Sequence, residues 1–175
     1  KRYGWDRLAT STRRLFAGGL LVPEKPIVFY LVAAEMANLV EHLVLMETNA
    51  SESGVPIAWH FTDEKRSDGA ELISLFAANG VKATIHRYHE LMPGKYSAAL
   101  VKMRALARIP KVWASQGMKP EDVGIVQDTD ESFTREYLAA MRDCDVPCFR
   151  PRLSCIKPKL VAKSFAFEGA FDCVL

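Results

Sequence analysis

This chain has no stretch long and apolar enough to span a bilayer. Its best, Ile27 to Met36, is short and ends in charge. It has no visible signal peptide, since it opens Lys1-Arg2-Tyr3 and not with Met. That opening reads as a fragment, or as a chain whose N-terminus has been removed, so a missing anchor says little about location. It has little net charge, +2, with a pI of about 8.4. Nor does it have a basic stripe interleaved with aromatics, and together these argue against nucleic acid as a partner. It has no C-x-x-C pair: Cys144, Cys148, Cys155 and Cys173 all fall in the last fifth of the chain, at spacings that argue against a zinc site. Disulfides in an oxidising lumen and buried free thiols both fit these cysteines. There is no internal repeat and no low-complexity tract.

What is present is the composition of an ordinary globular domain. Apolar residues make up 49% of the 175 positions and charged residues 25%, enough to build one core over residues 1–175. Arg14 to Leu21 reads as a short strand weakened by two glycines. After the turn at Val22 to Pro26, the Ala-, Leu- and Met-rich run Ile27 to Glu41 predicts a helix. Leu43 to Glu47 is a continuous apolar run bounded by polar residues, the mark of a strand buried on both faces, with an extension of the preceding helix as the alternative. Thr48 to Asp68 is polar and irregular, with Gly54 and Pro56 as breakers.

Ser67 is placed to cap a helix whose apolar positions run from Ala70 to Phe76, with Gly80 at its end. Val81 to Tyr88 alternates like a strand. Lys95 to Gln116 reads as a long helix that Pro110 should kink or interrupt and Gly117 should close. Val123 to Val126 is another buried strand, and Asp128 to Glu131 is the loop after it. Ser132 is placed to cap a helix from Phe133 to Arg142. Strands alternating with helices, without a hairpin signature before the end, predict an α/β fold: a mostly parallel sheet with helices on both faces.

The loop Asp128-Thr129-Asp130-Glu131 carries the chemistry of most interest. In an open α/β sheet, ligands bind beyond the carboxyl ends of the strands. Two carboxylates one residue apart can reach the same side of an extended loop. Their hard oxygens suit Mg²⁺ or Mn²⁺, which keep positions open for phosphate oxygens. Asp128 and Asp130 are therefore the candidate metal ligands. The bland reading is a pair of acids satisfying the N-terminus of the following helix. The chain offers its own control: Asp143-Cys144-Asp145 is also D-x-D, but at a helix end, where a solvated cap or turn is the natural reading.

The string Pro120 to Glu131, an apolar strand running into D-x-D-E, resembles the metal-binding segment of glycosyltransferase family 17. Val44 to Gly54 is similar to that family's apolar strand ending in E-S/T-N with a short polar turn. Phe133 to Pro147, Cys155 to Lys159 and Phe165 to Glu168 resemble the continuation in its algal relatives, whereas Phe61 to Leu91 matches only in element order.

The resemblance implies a GT-A-like Rossmann-type fold and metal-dependent, inverting transfer of a sugar, GlcNAc in the bisecting enzymes, from a UDP-sugar to an N-glycan or glycoprotein acceptor. It also implies Mn²⁺ or Mg²⁺ as cofactor. The expected location is the Golgi or another secretory-pathway lumen, with membrane anchoring only through a segment absent from this chain. Two departures stand out: the chain is short for such an enzyme, and it stops at Val174-Leu175 soon after a strand.

Further candidates follow. Glu47 and Asn49 end the second strand, where they could meet ribose or base; ordinary turn polarity is the alternative. Asn49-Ala50-Ser51 is also a glycosylation sequon, although a glycan there would crowd the donor cleft. Arg104 and Arg108, one turn apart, would share a helix face and suit a diphosphate through their forked donors; a solvated face explains them as well. Inverting transfer needs a base, and Glu131, Glu168 and Asp172 are the candidate carboxylates, with metal coordination or helix capping the alternative for Glu131. His86 and His89 read as flanking a strand end. Trp59 and Trp113 read as core or half-buried aromatics, although indole faces also stack on sugars.

Two other functional classes compete. A haloacid-dehalogenase-like phosphatase also sets D-x-D after an apolar strand, its first Asp a nucleophile and its second an acid/base. Only about forty residues follow the loop, too few for the rest of that machinery. A non-catalytic carbohydrate- or nucleotide-binding domain of the same fold is the other.

Overall fold

The computed structural model describes residues 13–21, 26–49, 55–89, 103–128 and 132–144. Four strands form one sheet: β1 (Leu15–Leu21), β2 (Val40–Thr48), β3 (Lys82–Tyr88) and β4 (Val123–Asp128). Their order is β3-β2-β1-β4 and every pairing is parallel. The helices are α1 (Pro26–Met36), α2 (Asp68–Ala78), α3 (Ile109–Ser115) and α4 (Arg135–Asp143). None of the described helices is long and apolar enough to cross a membrane. The expected α/β class, a parallel sheet between helices, is what the chain adopts.

The layering follows from chirality. A parallel β-α-β crossover is right-handed in nearly all cases. Two steps in one direction, β1 to β2 to β3, therefore put α1 and α2 on one face. The long step back to β4 puts α3 on the other. On the first face, Phe29, Val32, Ala33 and Met36 of α1 and Leu72 and Phe76 of α2 bury against Leu15, Ala17, Leu43 and Leu45, joined by Leu138 and Met141 of α4. On the second, Ala105, Ile109 and Trp113 cover Phe16, Val44 and Met46. Each large side chain buried this way stabilises the fold by about 1.5–3 kcal/mol. The outer side of α1 leaves Ile27, Tyr30 and Leu31 exposed.

The seating of α3 explains why β1 and β4 carry glycine. Trp113 packs against β1 and β4, and its Nε1 donates to the Ala17 carbonyl at 3.1 Å. A Cβ on Gly124 would fall 2.3 Å from the Trp113 ring, and one on Gly18 would fall 2.5 Å from Ile109. These positions are where a helix touches the backbone of central strands, so Gly18 in β1 and Gly124 in β4 mark a close approach.

Several boundaries depart from the expected ones. α1 ends at Met36, five residues before Glu41, and β2 already begins at Val40. Asn38 turns the chain with φ 56°, and its N–H donates to the Asn79 carbonyl at 3.1 Å, so a tertiary contact ends the helix. The long helix is interrupted, as expected, at residues 107–108: residues 103–106 are helical, and α3 restarts at Ile109 with Pro110 in its first turn, where a missing N–H costs nothing. Residues 95–102 lie outside the described residues.

The capping expectations fare unevenly. Ser67 does stand before α2, but its side chain caps nothing. Thr134, not Ser132, caps α4, its hydroxyl accepting from the Tyr137 N–H at 3.4 Å. Ser132 is buried instead. Asp128 belongs to the strand and not to the loop: β4 runs two residues beyond Val126.

Candidate functional site at the carboxyl edge of the sheet

The strand order reverses between β1 and β4, so the crevice beyond their carboxyl ends is the switch point where ligands bind in open α/β sheets. Asp128 is the last residue of β4 and pairs in register with Leu20 of β1. Its backbone therefore stands at that crevice. Asp130 and Glu131, the other acids of the loop, lie outside the described residues, as do Glu168 and Asp172. Among the described residues, no group of three or more His, Cys, Asp or Glu side chains is placed to hold a metal ion. In the comparison motif, Asp143 ends α4 and accepts from Arg142 Nε at 2.7 Å, whereas Asp145 lies outside the described residues. Cys144, the one cysteine among the described residues, is a free thiol.

Glu47 is next to last in β2 and turns inward. It is buried, with 4% of its surface exposed. Oε1 accepts from the backbone N–H groups of His60 (2.5 Å) and Phe61 (2.9 Å). Oε2 accepts from the N–H of Thr62 (2.9 Å) and from its hydroxyl (2.5 Å). The carboxylate thus does for residues 60–62 what a neighbouring strand would do, and it ties that loop to the sheet. A role in holding the loop is what the structure gives Glu47, in place of the expected direct contact with ribose or base. The same loop is pressed onto α2, where a Cβ on Gly69 would fall 1.9 Å from the Phe61 carbonyl oxygen. Phe61 sets its edge against Phe29 at 6.0 Å. Asn49 follows β2 and its carbonyl accepts from the Ile57 N–H at 2.9 Å, a further tether on the same loop.

From Thr62 the network reaches the surface. Arg87, next to last in β3 and paired with Glu47, donates through Nε to the Thr62 hydroxyl at 2.8 Å and through Nη2 to the Thr62 carbonyl. Its guanidinium lies over the ring of Trp59 at 5.2 Å. His89 stands 6.2 Å from that ring at a 45° tilt. On the other face of the sheet, Arg108 reaches over the ring of Tyr88 at 6.0 Å. Arg108 precedes α3, whereas Arg104 belongs to the separate helical turn 103–106, so the break at 107–108 divides the helix face they were expected to share.

Trp59 and Arg87 are thus brought together at the carboxyl edge by the fold. One trace of this pairing exists in sequence: alternation in β3 puts Arg87 on the same face as Ala83 and Ile85, and a cation at that position needs a partner. Trp113, by contrast, is core, as expected. His86 lies within β3, not at its end, and shares a contact of 3.1 Å with the Thr84 hydroxyl; His42 meets the same hydroxyl at 3.0 Å. Burial lowers both imidazoles below the ordinary value; for His42 the nearby positive charge of Lys82 adds to it. No family model, curated protein or solved structure matches the chain.

Proposed function

We propose that this chain is the donor-binding α/β unit of a metal-dependent glycosyltransferase that uses a nucleotide-sugar donor. The observation that carries the reading is the position of Asp128, at the carboxyl end of β4 and in register with Leu20, where the strand order reverses. The resemblance of Pro120 to Glu131 to the family 17 metal segment supports the same reading. Asp128 and Asp130 would hold the ion. Their donor set is all carboxylate, the chemistry that Mn²⁺ or Mg²⁺ prefers. Bound there, the metal would act as a Lewis acid toward the diphosphate leaving group. The chain's own part is to orient the donor: the switch-point crevice receives the diphosphate, and the cations Arg87 and Arg108 stand at the same edge of the sheet.

Thermal melting with nucleotides tests this. UDP with Mn²⁺ should stabilise the chain by about 2.7 kcal/mol at a hundredfold excess over Kd, seen as a rise of several degrees in Tm. UDP with a chelator should not. Asp128→Asn and Asp130→Ala should melt near the wild-type temperature without ligand and lose the shift. No stabilisation by any nucleoside diphosphate would transfer support to a non-catalytic domain.

A further inference from the structure

An exposed arginine loses much side-chain freedom when it is held in one place. Arg87 is exposed, yet it is held at both Nε and Nη2 by Thr62, and Thr62 is held in turn by the buried carboxylate of Glu47. What this chain of bonds positions is the indole of Trp59, half-buried, with Arg87 over its ring and exposed His89 tilted against it. The network therefore builds a rigid aromatic surface at the carboxyl end of β3, on the edge of the sheet where Asp128 ends β4. Preorganised aromatic and cationic groups of this kind are what a flat, polarisable ring binds to.

The spacing relates the two places. β3, β2, β1 and β4 are successive neighbours, so their carboxyl ends are three interstrand steps apart, about 14 Å at 4.7–4.9 Å each. An extended nucleoside diphosphate covers a comparable distance from base to terminal phosphate. A ligand running across the carboxyl ends of the strands from β4 to β3 spans that distance.

We propose that Trp59, fixed by Arg87, Thr62 and Glu47, is the stacking platform for the nucleobase of the donor. This rests on the reading of Asp128 as the diphosphate end of the site. Stacking recognises the ring face, so the subsite selects for an aromatic base attached to the diphosphate and discriminates weakly among bases.

The test compares Mn²⁺-dependent binding of UDP and of inorganic pyrophosphate to the full chain. In Trp59→Ala, UDP binding should weaken at least about tenfold, while pyrophosphate binding should stay at the wild-type level. Trp59→Phe keeps an aromatic face and should retain most of the UDP affinity. The chain has three tryptophans, and UDP should quench the emission of the wild type but not of Trp59→Phe. Asp128→Asn should weaken both ligands.

Equal losses for UDP and pyrophosphate in Trp59→Ala, or no loss for either, would overturn the stacking role and leave the diphosphate reading standing. Quenching that persists in Trp59→Phe would also overturn it. If wild-type protein binds neither ligand with Mn²⁺, the diphosphate reading fails and the subsite fails with it.

Discussion

The two ends of the sheet are built from the same three parts and serve different ends. At the amino edge, buried Asp122 accepts from the backbone N–H groups of Arg14 (2.9 Å) and Lys119 (2.8 Å) and from the Arg14 guanidinium (2.6 Å). Arg14 lies over the ring of Phe16 at 5.2 Å. At the carboxyl edge, Glu47 accepts from three backbone N–H groups, and Arg87 lies over Trp59 at the same 5.2 Å. In both places a buried acid gathers backbone donors and an arginine sits on an aromatic ring.

The difference lies in how the charges meet and where the ring is. Asp122 meets its arginine directly and Phe16 is wholly buried, so the unit locks β1 to β4 and ends there. Glu47 meets Arg87 only through the Thr62 hydroxyl, and Trp59 is only half-buried. An acid that bonds its cation directly closes a structure. An acid that holds a loop, which then holds a cation, leaves a surface behind.

The largest effect expected from breaking this comparison is at Asp122. Asp122→Ala removes a buried partner and strands its donors, and should cost about 3 kcal/mol in chemical denaturation. Burial by itself would raise the Asp122 carboxyl, but hydrogen bonds from Arg14 and from the Lys119 and Arg14 backbones outweigh that and hold it below the ordinary 3.8. Its contribution is therefore complete above pH 3.8 and lost as pH falls through the lower folded value. The gap between wild type and Asp122→Ala should close as pH drops below about 4.

A smaller effect belongs to Glu47. Glu47→Ala should cost about 2 kcal/mol and open a protease site within residues 55–62 before the sheet melts, because a held loop is released while strand pairing survives. Cleavage that appears only with global unfolding would erase the distinction between the two edges.

The smallest effect separates both from the rest of the sheet. His42 and His86 are held neutral by burial, below the usual 6.5. The unfolded chain takes up their protons first, so stability is full above pH 6.5 and declines as pH falls through that value. Melts at pH 8 and about pH 5.5 should differ less in His42→Gln than in wild type, by up to about 1 kcal/mol. An unchanged difference would assign the acid sensitivity elsewhere.

Much of this architecture can be read in the order of residues. Strands buried in a parallel sheet appear as unbroken apolar runs, and Leu43 to Glu47 and Val123 to Val126 are such runs. Alternation marked β3, and Gly80 marked the end of α2. The end of α1 was not legible, because Asn38 stops it through a bond to Asn79, a partner far along the chain. Nor was the cap of α4 legible: Ser132 and Thr134 both have the chemistry, and burial of the first leaves the second to do it.

The site divides in the same way. Position alone marked Asp128, since a carboxylate where an apolar strand ends is a local pattern. The sequence by itself determined the alternation of elements, the parallel class that follows from it and the placing of an acid at a strand end, all of which depend on near neighbours and chirality. Only the tertiary structure decided that Glu47 faces a loop and that Arg87 finds Thr62 and Trp59. Those outcomes depend on which distant groups the packed layers bring within bonding distance, and no spacing along the chain encodes that distance.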